Sequence, residues 1–213
     1  MASMEEAAKI MDVAARHAYV FDNGLSSPDF FDVEKRMASE EFRLIVDRCE
    51  KQHHILEIGC FTGLNLLGLA KLGFEVLYGK DFVEGAIKWL KAEAEKQSGF
   101  SKEYKDGNPI VAFHGTFDPE RTSNHWDRIV CFDVLEHQQN VGQFLDGVAR
   151  CLGVGGKVLF LVPKDSFYSD CGHVAWFPDV TCFQNVLNYH FDIEECFELK
   201  TCQKLFACCK RRD

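Results

Sequence analysis

The residues of this chain best equipped for chemistry stand at the ends of short apolar runs. Glu57 lies near the end of His54-Ile55-Leu56-Glu57-Ile58, and Gly59-Cys60-Phe61-Thr62-Gly63 follows it. Glycine has no side chain to hold a ligand off, so such a turn brings backbone N–H groups and a helix start up to a nucleotide-like molecule. The acid adds selectivity, because a carboxylate repels a pyrophosphate and attracts an ammonium group. A second run ends in Gly79-Lys80-Asp81. A carboxylate there can accept hydrogen bonds from both hydroxyls of a ribose, or it can cap a helix starting near Val83. A later run ends in Phe132-Asp133-Val134-Leu135-Glu136-His137, and His173 lies beyond the next strand. Imidazoles titrate near neutrality, which suits proton abstraction; a histidine opening a helix also serves as a cap or hydrogen-bond partner.

These positions need a scaffold that brings strand ends together. The apolar runs predict strands at 54–58, 75–79, 110–113, 128–132 and 157–162, with late runs at 191–199 and 204–209. Helical periodicity predicts helices at about 4–18, 32–51, 63–72, 83–97, 140–152 and 179–189. In the second of these, Phe42, Ile45, Val46 and Cys49 form one stripe. Strands alternating with helices call for a mainly parallel sheet with helices on both faces. Ligands of such sheets lie beyond the C-terminal strand ends, where Glu57, Asp81 and Asp133 fall. The last two runs have no helix between them and predict an antiparallel hairpin at the sheet edge.

The segment from Glu57 to Gly63 resembles motif I of the class I S-adenosylmethionine (SAM)-dependent methyltransferases, an acid followed by a glycine-punctuated turn. Glu57, Gly59 and Gly63 match, and Phe61 replaces the usual middle glycine. Gly79-Lys80-Asp81 resembles motif II. His114-Gly115-Thr116-Phe117 stands where the family has a Gly-Asp pair that takes the adenine amino group, with Thr116 in the acid's place. Leu135-Glu136-His137 resembles motif IV of a small-molecule branch that includes ubiquinone- and menaquinone-pathway enzymes. Cys151-Leu152-Gly153-Val154-Gly155-Gly156 resembles its Leu-x-Pro-Gly-Gly turn, with Val154 for proline, and His173-Val174-Ala175-Trp176-Phe177 resembles a further His-x-x-x-Phe element.

The resemblance implies a Rossmann-like class I methyltransferase fold: an α/β, mainly parallel seven-stranded sheet with one antiparallel edge strand and helices on both faces. It implies one domain over 1–213, with 1–51 an N-terminal helical cap and 52–213 the catalytic core. It also implies SAM as cofactor, S-adenosyl-L-homocysteine (SAH) as product, and methyl transfer to an oxygen or nitrogen of a small organic acceptor. The cofactor residues expected are Glu57, Gly59, Cys60, Phe61, Gly63, Asp81, Phe82, Thr116, Phe117, Asp133 and Val134. Tyr19, with Phe21, is either a lid over the cofactor or ordinary core. His137 and His173 are the candidate bases, and Phe167, Tyr168 and Trp176 fall near the expected acceptor mouth.

Composition narrows the classes further. A formal net charge of −9 argues against a nucleic-acid substrate. No apolar run is long enough to span a membrane, and the N-terminus lacks a signal pattern, which predicts a cytoplasmic protein. The ten cysteines contain no C-x-x-C pair and read as reduced thiols, and no metal is expected from ligand spacing. Two competing readings remain: a SAM- or SAH-binding module without turnover, and an NAD-binding Rossmann oxidoreductase. The turn lacks the middle glycine of G-x-G-x-x-G, and Leu135-Glu136-His137 has no dinucleotide rationale.

Overall fold

The computed structural model describes residues 13–24, 26–96, 108–122, 125–164 and 172–212. The first predicted helix before Val13, and Phe167 and Tyr168, lie outside the described residues. The helices are α1 (Val13–Asp22), α2 (Val33–Met37), α3 (Glu40–Val46), α4 (Leu64–Lys71), α5 (Glu84–Lys96), α6 (Val141–Cys151) and α7 (Val180–Leu187). The strands are β1 (His54–Ile58), β2 (Val76–Asp81), β3 (Ile110–His114), β4 (Trp126–Phe132), β5 (Leu152–Pro163), β6 (Phe191–Leu199) and β7 (Lys204–Arg211). They form a seven-stranded sheet in the order β3-β2-β1-β4-β5-β7-β6. The pairs β1–β2, β2–β3 and β4–β5 are parallel, and β7 runs antiparallel to both β5 and β6.

The contacts divide the chain into two compact units, Met1–Phe117 and Asp118–Asp213. In the first, Ile45, Ile55, Leu66, Leu67, Leu77 and Leu90 are fully buried; in the second, Ile129, Phe160, Phe183, Phe191 and Phe206 are.

Three details refine the expected elements. The predicted helix over 32–51 is two helices joined at Ser39. Its hydroxyl donates to the Arg36 carbonyl at 2.7 Å and accepts from the Phe42 N–H at 3.1 Å, closing α2 and capping α3. The glycine turn after α6 is a bulge inside β5: Leu152 pairs with Trp126 and Lys157 with Arg128, so the residues between loop outward. Of the late hairpin, β7 lies inward and β6 holds the edge. Leu205 to Cys209 are all buried, whereas β6 exposes Asp192, Glu194, Glu195 and Phe197, as an edge strand allows.

Candidate functional site

In the first unit, β1 and β2 end side by side, with Glu57 opposite Gly79 and Ile58 opposite Lys80. The turn after β1 is fastened to β2: the Gly59 and Cys60 N–H groups donate to the Lys80 carbonyl at 2.8 and 3.2 Å. Gly63 closes the turn at φ 67°, where a side chain is strained, and a Cβ there would sit 2.5 Å from a Leu90 methyl and push the leucine side chain aside. Phe61 adopts φ 47°, a left-handed conformation that a non-glycine residue enters at a cost. Its N–H donates to Asp81 Oδ2 at 2.8 Å, and the Val83 N–H donates to Oδ1 at 2.8 Å. Asp81 thus joins the glycine turn to the start of α5. Burial raises its pKa above the ordinary carboxylate value, while bonds from Val83 and Phe61 oppose the rise.

Glu57 is buried, and one of its oxygens is unsatisfied. Asn65 Nδ2 donates to Oε1 at 2.5 Å, and Arg36 Nε donates to Asn65 Oδ1 at 2.7 Å. Oε2 has no hydrogen-bond partner. Desolvation pushes the Glu57 pKa up to about 7, with Asn65 and Arg36 pulling the other way. A buried carboxylate oxygen lacking a donor is costly unless something cationic arrives, and the ammonium of SAM's methionine moiety is such a group. The residues present therefore fit the cofactor. Cys60 is buried, and desolvation, with Glu57 and Asp81 nearby, keeps its thiol protonated.

An aromatic cluster covers the turn from the N-terminal side. The Phe61 ring meets Phe21 edge-on at 5.4 Å and Phe30 at 5.2 Å, and Thr62 Oγ1 donates to the Phe30 carbonyl at 2.5 Å. Phe31 packs on Phe21 and on Trp89 of α5. The ring of Phe82 lies 5.8 Å from His17, and the Phe82 carbonyl meets His114 Nε2 at 3.1 Å. Phe21 of α1 lies against Phe61, and Tyr19 is half-buried in the same helix. At the end of β3, the Gly115 N–H donates to the Asp81 carbonyl at 2.8 Å, Thr116 is exposed and Phe117 is half-buried.

In the second unit, β4 ends at Phe132 and a 3-10 turn spans Leu135–His137. Asp133 sits at φ 56°, with its carboxylate 2.6 Å from Lys204 Nζ. The half-buried Val134 offers its carbonyl to the His137 N–H at 3.1 Å. The Glu136 carbonyl accepts from the Val174 and Ala175 N–H groups at 2.8 and 3.0 Å, which brings His173 beside the turn. The His137 and His173 rings are 4.8 Å apart and tilted by 68°. Ligand-capable atoms of Glu136, His137 and His173 all lie within 4.8 Å of one another, a group that can pass a proton or hold a divalent cation. His137 Nδ1 lies 3.0 Å from the Gly172 carbonyl, which can only accept, so Nδ1 carries the hydrogen and Nε2 is the basic nitrogen of the neutral ring.

The structure thus gathers Glu57, Gly59, Cys60, Phe61, Gly63, Asp81 and Phe82 in one place and His137 with His173 in another. Asn65, Arg36, Phe30 and Thr62 escaped the sequence reading. A lone amide within the apolar run Leu64 to Ala70 was the available signal for Asn65.

Residues 32–198 match the family described as "Methyltransferase domain", and the chain belongs to that family. Its class is that of the SAM-dependent methyltransferases. Among curated proteins it is similar to the ubiquinone biosynthesis O-methyltransferase of Rickettsia canadensis, 32% identical over 43% of this chain and 34% of that protein. The chain therefore aligns with about a third of the length of that relative. Among solved structures, an S-adenosylmethionine-dependent methyltransferase from Mesorhizobium loti has a TM-score of 0.61 at 14% identity, over 82% of this chain and 99% of that one. Magnesium protoporphyrin IX methyltransferase from Synechocystis PCC 6803, with bound SAH, has a TM-score of 0.60 at 14% identity, over 94% and 88%. At these identities the two structures establish the fold. Among the described residues no helix is long and apolar enough to cross a membrane.

Proposed function

We propose that the chain methylates an oxygen or nitrogen of a small organic acceptor, as one catalytic domain capped by its N-terminal helices, in the cytoplasm. The observation that carries this reading is the 3.0 Å contact between His137 Nδ1 and the Gly172 carbonyl. With Nδ1–H held by the Gly172 carbonyl, Nε2 can take a proton from a hydroxyl or amine. His173, beside it, would stabilise the protonated ring's orientation or bind the acceptor's polar edge. The curated relatives' name, ubiquinone biosynthesis O-methyltransferase, favours an oxygen acceptor. Half-exposed Trp176, three residues after His173, offers apolar surface for an organic body. The net charge of −9 disfavours nucleic acid.

The cofactor supplies an electrophilic methyl on a good leaving group, so the protein's tasks are binding, alignment and proton removal. Glu57 Oε2 would hold the ammonium and Asp81 the ribose hydroxyls, with the glycine turn bordering the methionine moiety. Thr116 and Phe117 would border the adenine. Tyr19, Asp133 and Val134 stay as further candidates to border the cofactor. The test is SAH release from SAM across a panel of phenols, carboxylic acids and amines. Release above the acceptor-free rate with at least one supports the reading. SAM binding with no release from any of them would leave a binding module, and NADH binding without SAH binding would point to an oxidoreductase. A cation held by Glu136, His137 and His173 would activate the acceptor differently, by lowering its hydroxyl pKa.

A further inference from the structure

The line Arg36–Asn65–Glu57 ties the N-terminal helices to the acid at the end of β1. Asn65 is buried on α4 among Leu66, Leu67 and Leu69, where a polar amide is costly unless both its ends are bonded. Both are, and in only one orientation. A guanidinium only donates and a carboxylate only accepts, so the amide oxygen must face Arg36 and the nitrogen Glu57. Arg36 is fixed at its far end by an ion pair with Glu41 of α3. The helices that supply these residues approach α4 closely: a Cβ on Gly68 would lie 2.8 Å from the Phe42 ring and 2.9 Å from Met37 Cγ.

We propose that Asn65 and Arg36 are positioning residues that fix the Glu57 carboxylate for the ammonium group of the cofactor's methionine moiety, making α2 part of the cofactor site. This inference rests on the cofactor role given to Glu57 above. The pairing is one-sided. Asn65 takes Oε1 and leaves Oε2 buried without a donor, whereas a network serving stability alone would satisfy both oxygens. Arg36 also biases Glu57 toward its charged form, against the desolvation that favours the acid.

The test compares two ligands, SAH and 5′-methylthioadenosine, which shares the adenosine and thioether but lacks the amino-acid end. Calorimetry is run on the wild type, Asn65→Leu and Arg36→Met, with thermal melts to confirm folding. Asn65→Leu should weaken SAH about tenfold and Arg36→Met about threefold, while methylthioadenosine changes by less than about twofold. Equal losses for the two ligands would overturn the inference, since the line would then only support the fold. Unchanged SAH affinity in both folded variants would overturn it as well. Wild-type protein that binds neither ligand would refute the cofactor reading itself, and the inference with it.

Discussion

The Phe61 N–H donates to Asp81 Oδ2 at 2.8 Å, so the residue that replaces the middle glycine is held through its backbone by the acid expected to bind ribose. The two roles of Asp81 weighed from the sequence are compatible. A carboxylate offers about four acceptor positions, and Phe61 and Val83 occupy one on each oxygen. Asp81→Ala should therefore weaken SAH by about tenfold or more, at roughly 1.5–3 kcal/mol for a hydrogen bond to a charged acceptor. Calorimetry on the folded variant checks this. Unchanged affinity would leave Asp81 with only its ties to the turn and α5.

Phe61→Gly separates the side chain of this residue from its backbone. Glycine relieves the φ 47° conformation, worth about 1 kcal/mol, but loses the ring contacts to Phe21 and Phe30, each worth about 0.5–1.5 kcal/mol beyond their buried area. The net expectation is a lower Tm with SAH affinity retained, because the backbone N–H to Asp81 survives. A large loss of SAH affinity at unchanged Tm would make the ring itself part of the cofactor site.

Glu57 predicts a pH dependence with a definite sign. Its folded pKa of about 7 lies above the ordinary 4.5, so the folded state binds the proton more tightly than the unfolded chain. The associated stability, about 3 kcal/mol, is present below the unfolded value and is lost as pH rises through the folded one. An ammonium-bearing ligand reverses that preference by favouring the carboxylate. SAH should bind with proton release near and below pH 7, and its affinity should rise with pH, while methylthioadenosine stays flat. Calorimetry in buffers of different ionisation enthalpy measures the released proton directly. A pH-independent SAH affinity would move the ammonium away from Glu57.

What the sequence disclosed was whatever local pattern controls. Apolar runs ending in Glu57, Asp81 and Asp133 marked strand ends, and glycines on either side of Phe61 marked the turn. Ser39 was a readable helix cap, but the stripe through Phe42 and Ile45 continued past it and hid the break between α2 and α3. The inward place of β7 was also readable, since an unbroken Leu205-Phe206-Ala207-Cys208-Cys209 run suits burial on both faces better than an edge. Long-range pairings had no local signature. Asn65 reaches Glu57 across the turn, and His173 reaches His137 because the Glu136 carbonyl holds the Val174 and Ala175 N–H groups. For that reason the sequence indicated no metal, although the fold assembles a histidine–histidine–glutamate group.

That group yields the prediction that discriminates between two ways of activating an acceptor. If His137 Nε2 takes the proton, His137→Ala should lower turnover by about 10²- to 10⁴-fold and leave SAH affinity unchanged. Wild-type turnover should then survive treatment with a chelator. If Glu136, His137 and His173 instead hold a divalent cation, chelation abolishes turnover and added zinc or cobalt restores it. Cobalt would then show the visible absorption of a low-coordinate nitrogen–oxygen site, and His173→Ala would erase it. Full activity in His137→Ala, with no effect of chelation, would exclude both mechanisms and leave the Gly172 carbonyl contact a purely structural one.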